Sequence, residues 1–118
     1  MIEVNREGCT RIVFLTKRLA IKIPNINSFR MALHGLLAND QERYYGKQKW
    51  PGLCPVIFAV SFGLLIVMRR AREMTLTEWQ DFDYTGFCVR DTYRIPAEFK
   101  RDSFGILDGE PVAVDYGN

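Results

Sequence analysis

Short apolar runs separated by polar turns fill the first third of the chain, and this pattern is typical of antiparallel strands. The runs cover residues 2–4, 11–15 and 19–23, and two more follow at residues 55–61 and 64–69. The breaks within each group are short enough for hairpins. The pattern therefore predicts an antiparallel sheet of five strands, interrupted between the third and the fourth.

The interruption has the spacing of an α-helix. Asn27 or Ser28 is able to cap the start of this helix, and no proline stops it before Pro51. Apolar residues recur on one face, which we expect to pack on the sheet. These residues are Phe29, Leu33, Leu36, Leu37 and Tyr44.

Two charged residues share faces with small or apolar neighbours. Lys22 lies in the third run, where the alternation allows either an interior position or the solvent side of a one-sided sheet. Glu42 shares a helix face with Gly35 and Ala38, which would bring it close to the sheet. The alternative for Glu42 is a solvated position near Lys47. The residues alone leave both choices open.

The sequence pattern of the second half predicts a short helix and a terminal hairpin. The helix is expected over residues 73–84 and begins with a capping box. The pair Asp108-Gly109 between two apolar runs favours a two-residue turn with positive φ at both positions. This hairpin delivers Asp115 at the end of a buried strand, where a carboxylate needs a cation, a donor or water. Asp115 is therefore either a candidate metal or phosphate-site residue or a turn cap.

Length and composition predict one globular domain over residues 1–118, with 47 % hydrophobic and 25 % charged residues. The net charge of +2 argues against nucleic acid as a partner. No apolar run approaches membrane-spanning length, so the cytoplasm is the expected location. Cys9, Cys54 and Cys88 are too widely spaced to indicate a disulfide framework or a zinc site, and we expect them to be small buried side chains.

Taken in this order, the residues resemble the protein-kinase-like fold. The segment AIKI around Lys22 is similar to the kinase strand that carries a lysine, and Glu42 follows twenty residues later, where the partner glutamate is expected. The segment VDYG around Asp115 is similar to the Asp-Phe-Gly motif. The resemblance implies an α+β fold in which a small lobe, residues 1–70, has a five-stranded sheet and one main helix. Residues 71–118 would form a hinge, a short helix and a C-terminal hairpin as a remnant of the large lobe.

The resemblance also implies sites for ATP and Mg²⁺. In the family the lysine holds the phosphates, the glutamate orients it through an ion pair, and the aspartate binds magnesium. The implied cofactor-binding residues are Lys22, Glu42 and Met68, and the implied metal ligands are Asp115 and Ser103. Leu65, Val67 and the segment 68–71 would line the adenine side of a cleft.

The catalytic loop departs from the family pattern. Glu98 stands where the catalytic aspartate is expected and Ser103 where a metal-binding asparagine is expected, and only Lys100 matches. The glycine-rich loop is reduced to Gly8 within residues 6–10. These departures favour a non-catalytic protein over the alternative, a minimal ATP- and Mg²⁺-dependent phosphotransferase or nucleotide-binding protein that would use Glu98 and Lys100.

The predicted partner is therefore a protein. Small proteins of this kind are typical of phages and other mobile elements, where many inhibit a host enzyme or a defence complex. Aromatic and arginine residues concentrate interface energy, and the candidates are Trp50, Trp79, Arg69, Arg70 and Arg72. The residues leave open whether the second half makes its own core or whether a second copy, in a homodimer, covers apolar side chains that a full large lobe would hide. These are Phe82, Phe87, Tyr93 and Phe99.

Overall fold

The structure, a computed structural model, describes residues 3–5 and 10–117. Over these residues the fold is α+β, with two antiparallel sheets, one long helix and two short ones. The strands are β1 (Glu3–Asn5), β2 (Arg11–Leu15), β3 (Leu19–Pro24), β4 (Val56–Val60), β5 (Leu65–Arg69), β6 (Arg72–Glu73), β7 (Phe104–Leu107) and β8 (Glu110–Ala113). The helices are α1 (Phe29–Gln48), α2 (Leu76–Asp81) and α3 (Tyr84–Cys88). Gly8 and Cys9 lie outside the described residues.

The first sheet has the strand order β1-β2-β3-β5-β4, and all neighbours are antiparallel. Four of the predicted runs correspond to β2, β3, β4 and β5, with ends that differ by one residue at most. β1 is three residues long and pairs with β2 at the edge. A 3₁₀ turn over Ser61–Gly63 joins β4 to β5.

One face of this sheet is buried. Along β3 the side chains of Ala20, Lys22 and Pro24 are buried, and those between them are half-buried. The cross-strand partners of Lys22 are Val13 on β2 and Ile66 on β5, and both are buried as well. Lys22 is only 3 % exposed, so the alternative of a one-sided sheet with this lysine in solvent is wrong.

Helix α1 begins as predicted but packs on the opposite side. The Ser28 side chain accepts a hydrogen bond from the Met31 N–H at 3.1 Å. The predicted apolar face points to solvent, whereas Gly35, Asn39 and Glu42 are buried against the sheet. Gly35 is the physical reason, because a side chain there would collide with the backbone of Pro24 on β3. The absence of a side chain lets this face approach the sheet closely.

The predicted helix over residues 73–84 is wrong in its extent. Residues 72–73 form β6, and α2 begins only after Thr75. The capping box is confirmed, since Thr75 Oγ1 accepts from the Glu78 N–H at 3.1 Å and Glu78 Oε1 accepts from the Thr75 N–H at 2.8 Å. The helix ends because Phe82 is extended and Asp83 starts α3 by capping the Gly86 N–H.

The terminal hairpin is confirmed. Asp108 has φ 53° and Gly109 φ 82°, so both turn residues have the positive φ that the pair predicts. β7 pairs with β6 and β8, and this second sheet joins the first through Cys54, whose N–H donates to Ala113 O at 2.9 Å. The end of β8 is thereby held beside the first sheet.

The aromatic side chains of the second half cover one another. Phe82, Phe87 and Tyr93 pack against the core, with Phe82 and Phe87 in ring contact with the buried Phe104. The expectation that they form an uncovered surface is wrong for these three, and only Phe99 of the predicted set is exposed. Cys54 and Cys88 are buried, as predicted.

We expect Gly63→Ala to destabilise the fold more than Gly109→Ala. Both glycines have positive φ, 76° and 82°, so each substitution costs about 1–2 kcal/mol of backbone strain. A Cβ at Gly63 would also collide with the carbonyl oxygen of Leu36 on α1, whereas Gly109 has open space around it. Overpacking adds about 1–3 kcal/mol at Gly63. Urea denaturation measures both free energies of unfolding, and equal losses would contradict the close approach.

Candidate functional site

Four charged side chains meet between the first sheet, α1 and the chain that follows β8. Glu42 Oε1 lies 2.8 Å from Arg11 Nη1 and 3.1 Å from Lys22 Nζ. Arg11 Nη2 lies 2.9 Å from Asp115 Oδ1. The ion pair that the resemblance implies between Lys22 and Glu42 is therefore present, and Asp115 lies in the same cluster.

Backbone and amide groups from three elements hold the cluster in place. Asn39, one turn before Glu42 on α1, accepts a hydrogen bond from Arg11 at 3.1 Å and donates to Lys22 O and Gly63 O. The carbonyl oxygen of Ser103 accepts from the Asp115 N–H at 3.3 Å. The charged groups are thus positioned by β2, β3, α1 and the terminal segment together.

The ammonium group of Lys22 is bound within the chain. Lys22 Nζ donates to the carboxylate of Glu42, with Oε1 at 3.1 Å and Oε2 at 3.2 Å, and to Val114 O at 2.6 Å. Glu42 Oε2 also accepts from the Tyr116 N–H at 3.3 Å. A carboxylate and a backbone carbonyl of the chain therefore hold this buried ammonium group.

Arg11 is the member of the cluster that sequence reasoning missed. Arg11 is 3 % exposed, and its guanidinium group bridges the carboxylate of Glu42 and the carboxylate of Asp115. The alternation of β2 contains the signal, because Arg11 stands two positions before Val13 and therefore shares its buried face. The apolar run over residues 11–15 predicts only that Arg11 begins a strand.

The electrostatics of Asp115 follow from this arrangement. Burial raises the pKa of its carboxyl, but the charges of Arg11 and then Lys22 outweigh burial and hold that pKa below the ordinary value of 3.8. The carboxylate is therefore ionised at neutral pH, and its counter-charge comes from the chain itself.

An apolar cleft of about 280 Å³ opens beside the cluster. Ala20, Met68 and residues 69–71 line it, with Lys22 and Val114 at the side of the charges. Met68 and the segment 68–71 thus line a cleft, as the resemblance implies. Leu65 and Val67 do not line it, because they alternate with the inward-facing residues of β5.

Both predicted metal ligands, and Glu98 of the two alternative catalytic residues, line a second cavity of about 330 Å³, whereas Lys100 does not. Asp115, Ser103 and Glu98 line it, and the buried Ser103 Oγ has no hydrogen-bond partner. Glu98 is exposed and lies 3.6 Å from Lys100 Nζ. Over residues 3–5 and 10–117, no group of three or more His, Cys, Asp or Glu is arranged to hold a metal ion.

The predicted contact anchors form contacts within the chain. Arg69 forms an ion pair with Asp108 at 2.8 Å, and Arg72 forms one with Glu78 at 2.7 Å. Arg70 Nη1 donates to Thr16 O at 3.0 Å. The aromatic candidates are also packed, Trp50 on Tyr93 and Trp79 on Phe82, Phe99 and Phe104. Their side chains support the hinge and the second half of the fold.

Comparison of the chain with protein-family models, curated proteins and solved structures found no match. The kinase-like resemblance therefore stays a prediction. In the part of the chain that the structure describes, no helix has the length and apolar character needed to cross a membrane.

We expect Arg11→Met to destabilise the protein by about 3–5 kcal/mol, because it leaves two buried carboxylates with one cation. The control is Arg43→Met, which removes a partly exposed ion pair with Asp40 on α1. Such pairs contribute less than about 1 kcal/mol. Urea denaturation gives both free energies of unfolding. Similar small losses would mean that the bridge by Arg11 contributes little.

We expect Asp115→Asn to flatten the pH dependence of stability in acid. The folded pKa of Asp115 lies below its unfolded value, so its contribution is present above the ordinary value of 3.8 and is lost as the pH falls through the folded pKa. The difference in unfolding free energy between wild type and variant should therefore shrink between about pH 5 and pH 2. Asp91→Asn, at an exposed position, controls for loss of one negative charge. A difference that stays constant with pH would contradict the pairing.

Proposed function

We propose that the chain is a non-catalytic, kinase-like domain that acts by binding another protein. The observation that carries this proposal is that the ammonium group of Lys22, a residue only 3 % exposed, is bound by the carboxylate of Glu42 and by Val114 O. A nucleotide phosphate would have to compete with these buried contacts. The cluster therefore supports a structural role better than a phosphate-binding role.

The balance of positive and negative charges in the cluster also favours a non-catalytic function. Arg11 and Lys22 carry two positive charges, and Glu42 and Asp115 carry two negative ones. A divalent cation at Asp115 would lie close to the guanidinium of Arg11, and the two positive charges would repel each other. Magnesium binding is therefore disfavoured while Arg11 keeps its position.

The sheet and helix support the finer assignment of a small lobe. A lysine on the third strand of the sheet pairs with a glutamate on the one long helix, and the terminal hairpin adds the third charged residue. We assign the five strands with α1 to the small lobe and the second sheet with α2 and α3 to the remnant of the large lobe.

Exposed apolar side chains support a protein partner. Ile57 and Phe58 lie on β4, the edge strand of the first sheet, and each is 56 % exposed. An edge strand offers unpaired backbone groups whose hydrogen bonds to an incoming strand give affinity, and the side chains beside them give specificity. A partner that adds a strand to β4 would cover both residues.

The second candidate function is nucleotide binding, and the apolar cleft of about 280 Å³ favours it. Ala20 and Met68 could contact a flat apolar ring, and Lys22 and Asp115 lie at the charged end. This candidate requires that Lys22 exchange its contact with Val114 O for one with a phosphate.

A thermal-shift titration distinguishes the two candidates. The expected result is no stabilisation of wild type by millimolar ATP, with or without Mg²⁺. Binding at a hundred times the dissociation constant would add about 2.7 kcal/mol, which is readily measured. Lys22→Ala and Asp115→Ala serve as matched variants. Stabilisation of wild type that both variants lose would overturn the non-catalytic proposal in favour of nucleotide binding.

A further inference from the structure

The outer face of α1 carries a continuous apolar stripe. Phe29, Leu33 and Leu37 follow one another at intervals of four residues, and Tyr44 continues the line. Their exposures are 80 %, 46 %, 61 % and 59 %. The stripe lies opposite the buried face of the helix and extends over about 22 Å at 1.5 Å per residue. Within the described residues nothing covers it.

Two further side chains extend the apolar surface of this region. Ile26 precedes the helix and is 81 % exposed, and Phe62 is 80 % exposed in the 3₁₀ turn that lies against α1. A fully exposed aromatic side chain offers about 150–250 Å². On this scale the six residues expose roughly 700 Å², which exceeds the largest patch of most monomers and approaches the roughly 800 Å² that each partner contributes to a stable interface.

We propose that the stripe of Phe29, Leu33, Leu37 and Tyr44 is the contact between two copies of this chain, packed with their α1 helices antiparallel. The midpoint between Phe29 and Tyr44 lies beside Leu37, so a two-fold axis there sets each aromatic end of the stripe opposite the other end in the second copy. A two-fold contact must be complementary to itself. An elongated apolar stripe with an aromatic residue at each end meets this condition.

Two charged residues on α1 between Leu37 and Tyr44 pair with each other. Arg43 donates two hydrogen bonds to Asp40 Oδ1 at 3.1 and 2.9 Å. A like charge facing its own copy across a two-fold axis would be repulsive. The contact deepens the proposed function, because it assigns one apolar surface to a second copy and leaves β4 for another partner.

Sedimentation equilibrium of the full chain tests the contact. Wild type should show a monomer–dimer equilibrium. Leu37→Glu should raise the dissociation constant by about thirtyfold or more, as expected for a central apolar residue. The matched control is Leu76→Glu, since Leu76 on α2 is 59 % exposed and Leu37 is 61 % exposed. The control should leave the dissociation constant unchanged, and a cooperative urea transition of each variant would show that both are folded.

A disulfide cross-link tests the antiparallel packing of the two α1 helices. Leu37→Cys should form a cross-linked dimer under mild oxidation, because the two copies of this position lie near the axis, whereas Leu76→Cys should not. Wild type that sediments as a monomer throughout, or equal effects of the two glutamate variants, would overturn the inference. A dimer without the Leu37→Cys cross-link would overturn it too. These results would not affect the proposed lack of nucleotide binding, which the thermal-shift titration tests separately.

Discussion

The buried carboxylate of Glu42 is the constraint on which the other packing decisions depend. A carboxyl group on a residue that is only 1 % exposed must find its partners inside the protein. Arg11 comes from β2, Lys22 from β3 and the Tyr116 N–H from the terminal segment. One group therefore sets the rotation of α1 about its axis and the position of the chain after β8. Removing a single partner leaves a charge without compensation in the interior. The packing of β2, β3, α1 and the terminal segment is therefore interdependent.

The sequence predicted the positions of most strands and of α1, but it did not predict which of their faces are buried. Alternation reports which residues share a face, but it does not report which of two faces is buried. For this reason Lys22 and Glu42 had two open alternatives each, and only the kinase-like resemblance joined them as a pair. Arg11 had the same periodic signal. It was missed because no resemblance attached a role to it and because a buried arginine is rare without a known partner.

The orientation of α1 shows how close approach and polar bonding prevail over apolar periodicity. The apolar stripe is the stronger pattern, yet Gly35 provides the only surface flat enough to lie against β3. Asn39 then bonds to Lys22 O and Gly63 O, and both bonds would be lost if the helix turned its other face inward. Exposed apolar area is unfavourable in water, and burial at a contact between copies would recover that loss.

The turn of the terminal hairpin also contacts a strand of the first sheet. Asp108 adopts the left-handed conformation that the turn needs and, at the same time, pairs with Arg69 at the end of β5 through two hydrogen bonds of 2.8 and 3.3 Å. This exposed ion pair links the second sheet to the end of β5 in the first sheet. Arg69 also lines the cleft of about 280 Å³, so the hairpin turn contacts one residue of the cleft lining directly. A change in the sequence of this turn would therefore alter the position of a charged side chain in the cleft.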